Sequence, residues 1–124
     1  HLVDVIVTRG LVLLALLVAG FAESVVYAYL ALVSFHAVFI HANFAPRWGW
    51  LERWVAMPRF HHWHHSREAE ARDVNFAVHL PMIDRWFGTC HMPEGRWPEG
   101  YGLADERAPE GWARQLVWPL RRRA

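Results

Sequence analysis

Two apolar runs in the first third of the sequence restrict the folds open to this chain more than any other feature. Leu11–Ala22 is apolar throughout, and Val25–Ile40 is interrupted only by Ser34 and His36. Gly20–Ser24 lies between the runs and suits a tight reversal, with a polar side chain available to cap the second helix. The pattern therefore predicts a helical hairpin near the N-terminal end of the sequence.

The two runs reach the thickness of a bilayer when their flanks are included. Residues 2–22 span roughly 31 Å and residues 23–45 roughly 34 Å at 1.5 Å per residue, against a hydrocarbon core of about 30 Å. We therefore predict an all-α, integral membrane protein with two transmembrane helices in residues 1–45. The alternative is a hairpin buried in a soluble core, although a soluble chain of 124 residues has little use for two uniformly apolar helices.

The arginines indicate an orientation for this hairpin. Arg9 lies near the start of the first helix and three more follow the second, whereas the reversal carries no Lys or Arg. By the positive-inside rule, both ends of the hairpin face the cytosol. Residues 46–124 are rich in charge, Pro and Gly, and we predict that they form a cytosolic or interfacial region with a helical cap. Within this region, the Trp-rich residues 47–57 predict a short interfacial helix, or alternatively an aromatic-rich loop.

The sequence HHWHH at residues 61–65 carries the clearest chemical signal. Read as H-x-x-H-H, it places His61, His64 and His65 at positions i, i+3 and i+4, which share one face of a helix. Neutral imidazole is the commonest nitrogen ligand of transition metals. We therefore predict that these three residues bind a metal and that His62 points elsewhere. A solvated surface tract is the alternative.

Other polar side chains lie close enough in sequence to join this site. His41, near the end of the second apolar run, is a candidate ligand, and so is His36, although the two differ by roughly 140° around a helix. Asp73 and Asn75 are candidates to support ligand rings, because a partner for the second ring nitrogen fixes the tautomer of a ligating histidine. Asp73 alternatively caps a turn.

The pattern around these residues resembles the fatty acid hydroxylase/sterol desaturase superfamily of membrane di-iron oxygenases. The matching stretches are HAN at 41–43, PRFHHWHHS at 58–66 and DVNFAVHLPMIDRWFGT at 73–89. The H-x-x-H-H pattern followed by D-R-x-F-G-T is more specific than either part alone. The resemblance covers the chain from His36 onward and looks like the C-terminal half of the family.

This resemblance implies an oxidoreductase that uses O2 and two iron ions, with zinc as a substitute metal, to hydroxylate or desaturate a lipid. It also implies a membrane environment, a cytosolic electron donor, a metal site that faces the cytosol and no catalytic side chain beyond the metal ligands. We expect no nucleic-acid partner. The family uses more histidines than the candidate ligands listed above, so we expect the N-terminal portion of a longer protein to supply the remainder.

Two other classes of function stay open. A membrane zinc-dependent hydrolase would use a carboxylate base, as in H-E-x-x-H, and no such motif occurs in the sequence. A non-catalytic metal-binding membrane protein would use the histidines only for structure. The sequence does not identify the lipid, the electron donor or the oligomeric state, choose between hydroxylation and desaturation, or assign roles to His1 and His79.

Overall fold

The computed structural model describes residues 2–44, 46–102 and 109–118, so that His1 lies outside the described residues. The described elements are α1 (Leu2–Val18), α2 (Glu23–Ile40), α3 (Pro58–His64), α4 (Pro81–Phe87) and α5 (Trp112–Val117), with 3-10 turns at Gly49–Arg53 and Ala69–Ala71. These residues form no strand, and they contain an isolated β-bridge between Ser66 and Tyr101. The prediction of an all-α chain is confirmed for the described residues.

Among the described residues, α2 is the one helix long and apolar enough to cross a membrane. It begins at Glu23, whose carboxylate suits the positive end of the helix dipole. The chain turns just before it at Gly20, where φ is +75° and a residue with a Cβ would be strained. Val5–Val18 is also apolar but shorter. The pairing of the two helices as a hairpin stays a prediction.

The large apolar side chains of α2 are mostly exposed to the surroundings of the chain. Leu32, Phe35 and Val38 are 66%, 72% and 75% exposed. A helix in the core of a soluble protein would bury such residues. Their exposure therefore favours a membrane around α2 over the soluble core that the sequence left open.

The described chain divides into two compact units after Ala31, within α2. One unit contains residues 2–31 and 109–118, and the other contains residues 32–44 and 46–102. All of the candidate ligands at positions 36–65 belong to the second unit, as do Asp73 and Asn75.

The core of the second unit joins the end of α2 to the start of α3. Ile40, Ala56 and Phe60 are buried together, with Cys90 packed against them. Pro58 occupies the first turn of α3, where its missing N–H leaves no hydrogen bond unmade. An isolated helix of seven residues would not persist in water, so the buried side chains of α3 hold it in place.

Two buried polar side chains fix the loops that pass beneath α3. The Asn75 side chain donates to the carbonyls of Phe60 (2.9 Å) and His91 (2.8 Å) and accepts from the His91 N–H (2.7 Å). The Asp84 carboxylate accepts from the N–H groups of Phe76 and Ala77 at 2.9 and 2.8 Å. Asn75 and Asp84 both lie in residues 73–89, one of the stretches that carry the resemblance. Their hydrogen bonds hold the backbone next to α3 in place.

The Trp-rich stretch before α3 forms a 3-10 turn at Gly49–Arg53 in place of an α-helix. Trp50 and Trp54 are exposed there, which suits side chains at a membrane interface. An ion pair of 3.1 Å between Glu52 and Arg59 ties this turn to α3.

Candidate metal centre

Three histidine rings converge where the end of α2 meets α3. The Nε2 atom of His61 lies 3.1 Å from that of His41 and 3.0 Å from that of His65, and the third separation is 3.2 Å. His41 follows directly after α2, whereas His61 and His65 come from successive turns of one helical segment. The three nitrogens therefore form a nearly equilateral triangle, which we call the triad.

Hydrogen bonds alone cannot satisfy the triad. Each Nε2 atom carries either a proton or a lone pair, so at least two of the three atoms must be alike. Two like atoms separated by 3.0–3.2 Å repel each other. A cation that accepts three lone pairs removes this conflict.

The dimensions of the triad also fit a metal ion. Imidazole nitrogens bind zinc at about 2.1 Å, which places neighbouring donors about 3.0 Å apart in an octahedral site and about 3.4 Å apart in a tetrahedral one. The observed separations of 3.0–3.2 Å lie within this range.

The surroundings of the triad hold the rings in the state that binds metal. The Nδ1 atom of His41 lies 2.6 Å from the carbonyl of Ala37, so that its proton sits on Nδ1 and its lone pair on Nε2. Burial, and then repulsion from His65 and His41, lower the pKa of His61 to about 3. Burial also lowers the pKa of His65. The rings of His61 and His65 are therefore neutral donors at neutral pH.

The two other predicted ligands lie outside the triad. The Nδ1 atom of His64 is 3.1 Å from the carbonyl of Val74, and its ring stacks on that of His61 with centroids 5.6 Å apart. His36 instead meets His79, with their Nδ1 atoms 2.8 Å apart, and its Nε2 atom is 2.9 Å from the carbonyl of Ala56. The structure thus holds a triad and a separate pair of histidines.

Of the two predicted supporting residues, Asn75 hydrogen-bonds to backbone in the described structure. The side chain of Asn75 is fully buried and hydrogen-bonds to the backbone of His91 and of Phe60. Phe60 directly precedes His61, a member of the triad. Asp73 is exposed and adopts a left-handed backbone with φ of 53°. In the part of the chain that the structure describes, the Nδ1 atoms of His41 and His64 face backbone carbonyls and not Asp73.

His62 lies beside the triad and lines a cavity with it. This cavity has a volume of about 390 Å³, and its lining residues are His41, His62, His65, Tyr101 and Gly102. The Nδ1 atom of His62 lies 2.8 Å from the Tyr101 hydroxyl, and the edge of its ring meets Trp97. No role was predicted from the sequence for Trp97 or Tyr101. The sequence around His62 and Tyr101 contains no local pattern that specifies this contact, which joins residues 39 positions apart.

A family model described as fatty acid hydroxylase matches residues 1–89 of the chain. The chain belongs to the fatty acid hydroxylase family. Neither a curated protein nor a solved structure matches it. Membership confirms the superfamily suggested by the histidine pattern and makes the chain an oxidoreductase of the lipid hydroxylase or desaturase type, associated with membranes. Members of this family typically depend on a metal, and the triad supplies donors for one. Tyr101 lies beyond the matched residues.

Proposed function

We propose that this protein is a membrane-bound di-iron oxygenase that uses O2 to hydroxylate or desaturate a C–H bond of a lipid. The observation that carries the proposal is the triangle of Nε2 atoms contributed by His41, His61 and His65, which hydrogen bonding leaves in conflict and a metal satisfies. Iron suits such nitrogen donors. Membership of the fatty acid hydroxylase family supports a lipid as the substrate.

Each residue of the triad has a defined part in holding the metal. His41 is oriented by its hydrogen bond to Ala37, so that Nε2 faces the other two rings. His61 is kept neutral by burial, and His65 closes the triangle from the end of α3. When bound, the iron supplies the activation of O2 that no amino-acid side chain can provide. The chain supplies orientation and a site from which bulk water is partly excluded.

The second iron requires more donors than the triad offers. We infer that His64 and His36 contribute to it, together with histidines from an N-terminal portion of the protein. His64 is suited to this role because its Nδ1 faces a carbonyl, which leaves a lone pair on Nε2. His36 must exchange its contact with His79 to bind a metal, so we expect the second ion to bind more weakly than the first.

The position of the triad in the chain suits a substrate that comes from the bilayer. His41 follows directly after Ile40, the last residue of the apolar α2. A lipid chain that lies along the exposed side chains of Leu32, Phe35 and Val38 would end near the triad. We propose that this end of α2 faces the cytosol, where a soluble donor delivers electrons. The support for this orientation is the distribution of arginines around the two apolar runs.

The function is tested by metal analysis and lipid oxidation with the protein purified as its gene encodes it. We expect two irons per chain and O2-dependent appearance of a hydroxyl group or a double bond in membrane lipids. Zinc at one ion per chain, with hydrolysis and no oxidation, would identify the protein as a hydrolase. A protein that carries no metal would contradict both proposals.

The orientation is tested by labelling single cysteines with an impermeant thiol reagent in intact cells, in a Cys90→Ala background. A cysteine at Ser24 should react from outside, whereas one at the exposed Glu94 should react only after lysis. The reverse pattern would place the triad on the outer side.

A further inference from the structure

The wall of the cavity beside the triad contains a hydrogen-bonded pair that metal binding does not use. The hydroxyl of Tyr101 lies 2.8 Å from Nδ1 of His62, and both residues line the cavity together with His41 and His65. His62 is not a member of the triad. The pair therefore faces the same space as the metal donors without being required to hold a metal.

The segment that carries Tyr101 is fastened to the end of α3. The N–H of Gly102 donates to the carbonyl of His65 at 3.0 Å, and the N–H of Arg67 donates to the carbonyl of Gly100 at 3.1 Å. Gly102 has φ of +109°, a conformation that side chains with a Cβ rarely adopt. The hydroxyl of Tyr101 is thus held at a fixed place relative to His65, which a binding site requires.

Charged residues add a second attachment for the same segment. The guanidinium of Arg96 forms ion pairs with Glu68 at 3.1 Å and Glu70 at 2.9 Å, and the N–H of Glu99 donates to Glu68 at 2.9 Å. Exposed ion pairs contribute little individually, but together these contacts hold the segment against the residues that follow α3.

The hydrogen-bonding state of the pair leaves an acceptor facing the cavity. A phenolic hydroxyl carries a proton that it can donate, and Nδ1 of a neutral imidazole can carry the lone pair that receives it. Nδ1 of His62, 2.8 Å away, then accepts a hydrogen bond from the Tyr101 hydroxyl. The phenolic oxygen keeps lone pairs that can accept a hydrogen bond from a ligand.

We propose that Tyr101, positioned by His62, binds a hydroxyl group of the lipid substrate and thereby selects which carbon lies next to the metal. This inference rests on the proposed function, since it concerns the substrate of the same site. It predicts a preference for lipids that bear a hydrogen-bond donor over analogues in which the donor is blocked. A lipid oxygen that can only accept a hydrogen bond gains nothing from this contact.

The test uses the protein as its gene encodes it, in detergent, with two tritiated probes measured by scintillation proximity. The probes are 1-hexadecanol, which donates a hydrogen bond, and 1-methoxyhexadecane, which cannot. Tyr101→Phe should weaken binding of the alcohol about three- to tenfold, the usual value of one hydrogen bond, and should leave binding of the ether unchanged. Tyr27→Phe is the matched control, because it removes a hydroxyl from an exposed position on α2.

The outcomes separate this proposal from the function on which it rests. Iron content, measured on the same samples, should be equal in the wild type and Tyr101→Phe. An equal loss of alcohol and ether binding, or no loss of either, would overturn the role of Tyr101. A wild-type protein that binds the alcohol no more tightly than the ether would also overturn it. Absence of iron from the wild type would instead contradict the proposed oxygenase, while the comparison of the two probes would still test the hydroxyl contact.

Discussion

The two groups of histidines in this chain differ in whether hydrogen bonds can satisfy them. In the pair, Nε2 of His36 donates to the carbonyl of Ala56, so that the lone pair on Nδ1 of His36 can accept a hydrogen bond from Nδ1–H of His79. In the triad, three Nε2 atoms meet and at least two of them must be alike. The pair is therefore complete as a hydrogen-bonded structure, whereas the triad is complete only with a cation.

This difference shows that two properties of a histidine cluster indicate metal binding. One is the spacing of the rings, and the other is whether their protons and lone pairs can be matched in hydrogen bonds. The pair also closes a ring through backbone, because the N–H of Ala56 donates to the carbonyl of His79 at 2.8 Å. It joins α2 to the segments before α3 and α4 and explains why His36 is held there. A metal must displace a proton to use the pair, whereas the triad already offers the Nε2 lone pair of His41.

Replacement of His61 should have the largest effect on metal binding. His61→Ala removes the buried corner of the triad, and we expect zinc or iron affinity to fall by at least about 100-fold, since even the loss of a residue that supports a ligand costs 10- to 100-fold. Isothermal titration with zinc measures this change. An affinity within threefold of the wild type would show that the triad is not the metal site.

Replacement of Asn75 should lower zinc affinity less than replacement of His61, because Asn75 acts on the triad only through the backbone. Asn75→Ala leaves two carbonyls and one N–H without their partner, which should lower the free energy of unfolding by about 2–4 kcal/mol. The looser backbone at Phe60 should reduce zinc affinity about tenfold. Asn43→Ala is the matched control, because Asn43 is exposed and its loss should cost less than about 0.5 kcal/mol. Equal effects of the two changes in thermal unfolding would contradict the bracing role of Asn75.

Replacement of His36 should have the smallest effect on the first metal. His36→Ala breaks the pair and leaves the Ala56 carbonyl without a donor, at a cost of about 1–3 kcal/mol in the free energy of unfolding. We expect the affinity of the first zinc equivalent to change by less than about threefold, because the triad is untouched. A loss as large as that of His61→Ala would mean that the two groups act as a single site.

The sequence predicted the parts of this molecule that depend on local spacing. The positions of His61 and His65, four residues apart, placed both rings on one face of α3, and the apolar run ending at Ile40 predicted α2 with His41 at its end. His41 was a candidate ligand from its place near the end of the second apolar run, but the sequence did not show how it would meet α3. Sequence spacing alone does not predict a contact between residues 20 positions apart, such as His41 and His61.

The remaining features depend on contacts between distant segments. The pairing of His36 with His79 joins residues 43 positions apart, and the contact of His62 with Tyr101 joins residues 39 positions apart. Nothing in the sequence around His36 or His62 specifies the partner of that residue. Asn75 was predicted to support a ligand ring, and the structure places its amide between the backbone of Phe60 and that of His91, which lie 15 and 16 positions away in the sequence.

The measurement that most directly tests the central claim is a zinc titration of the chain followed by nitrogen-15 NMR of the histidine rings. Zinc serves as a diamagnetic substitute for iron. At one equivalent, Nε2 of His41, His61 and His65 should move together to the position of a metal-bound nitrogen, with the proton of each ring on Nδ1. The rings of His36 and His79 should stay unchanged at that point. Zinc that shifts His36 and His79 first, or leaves the triad unchanged, would contradict the account.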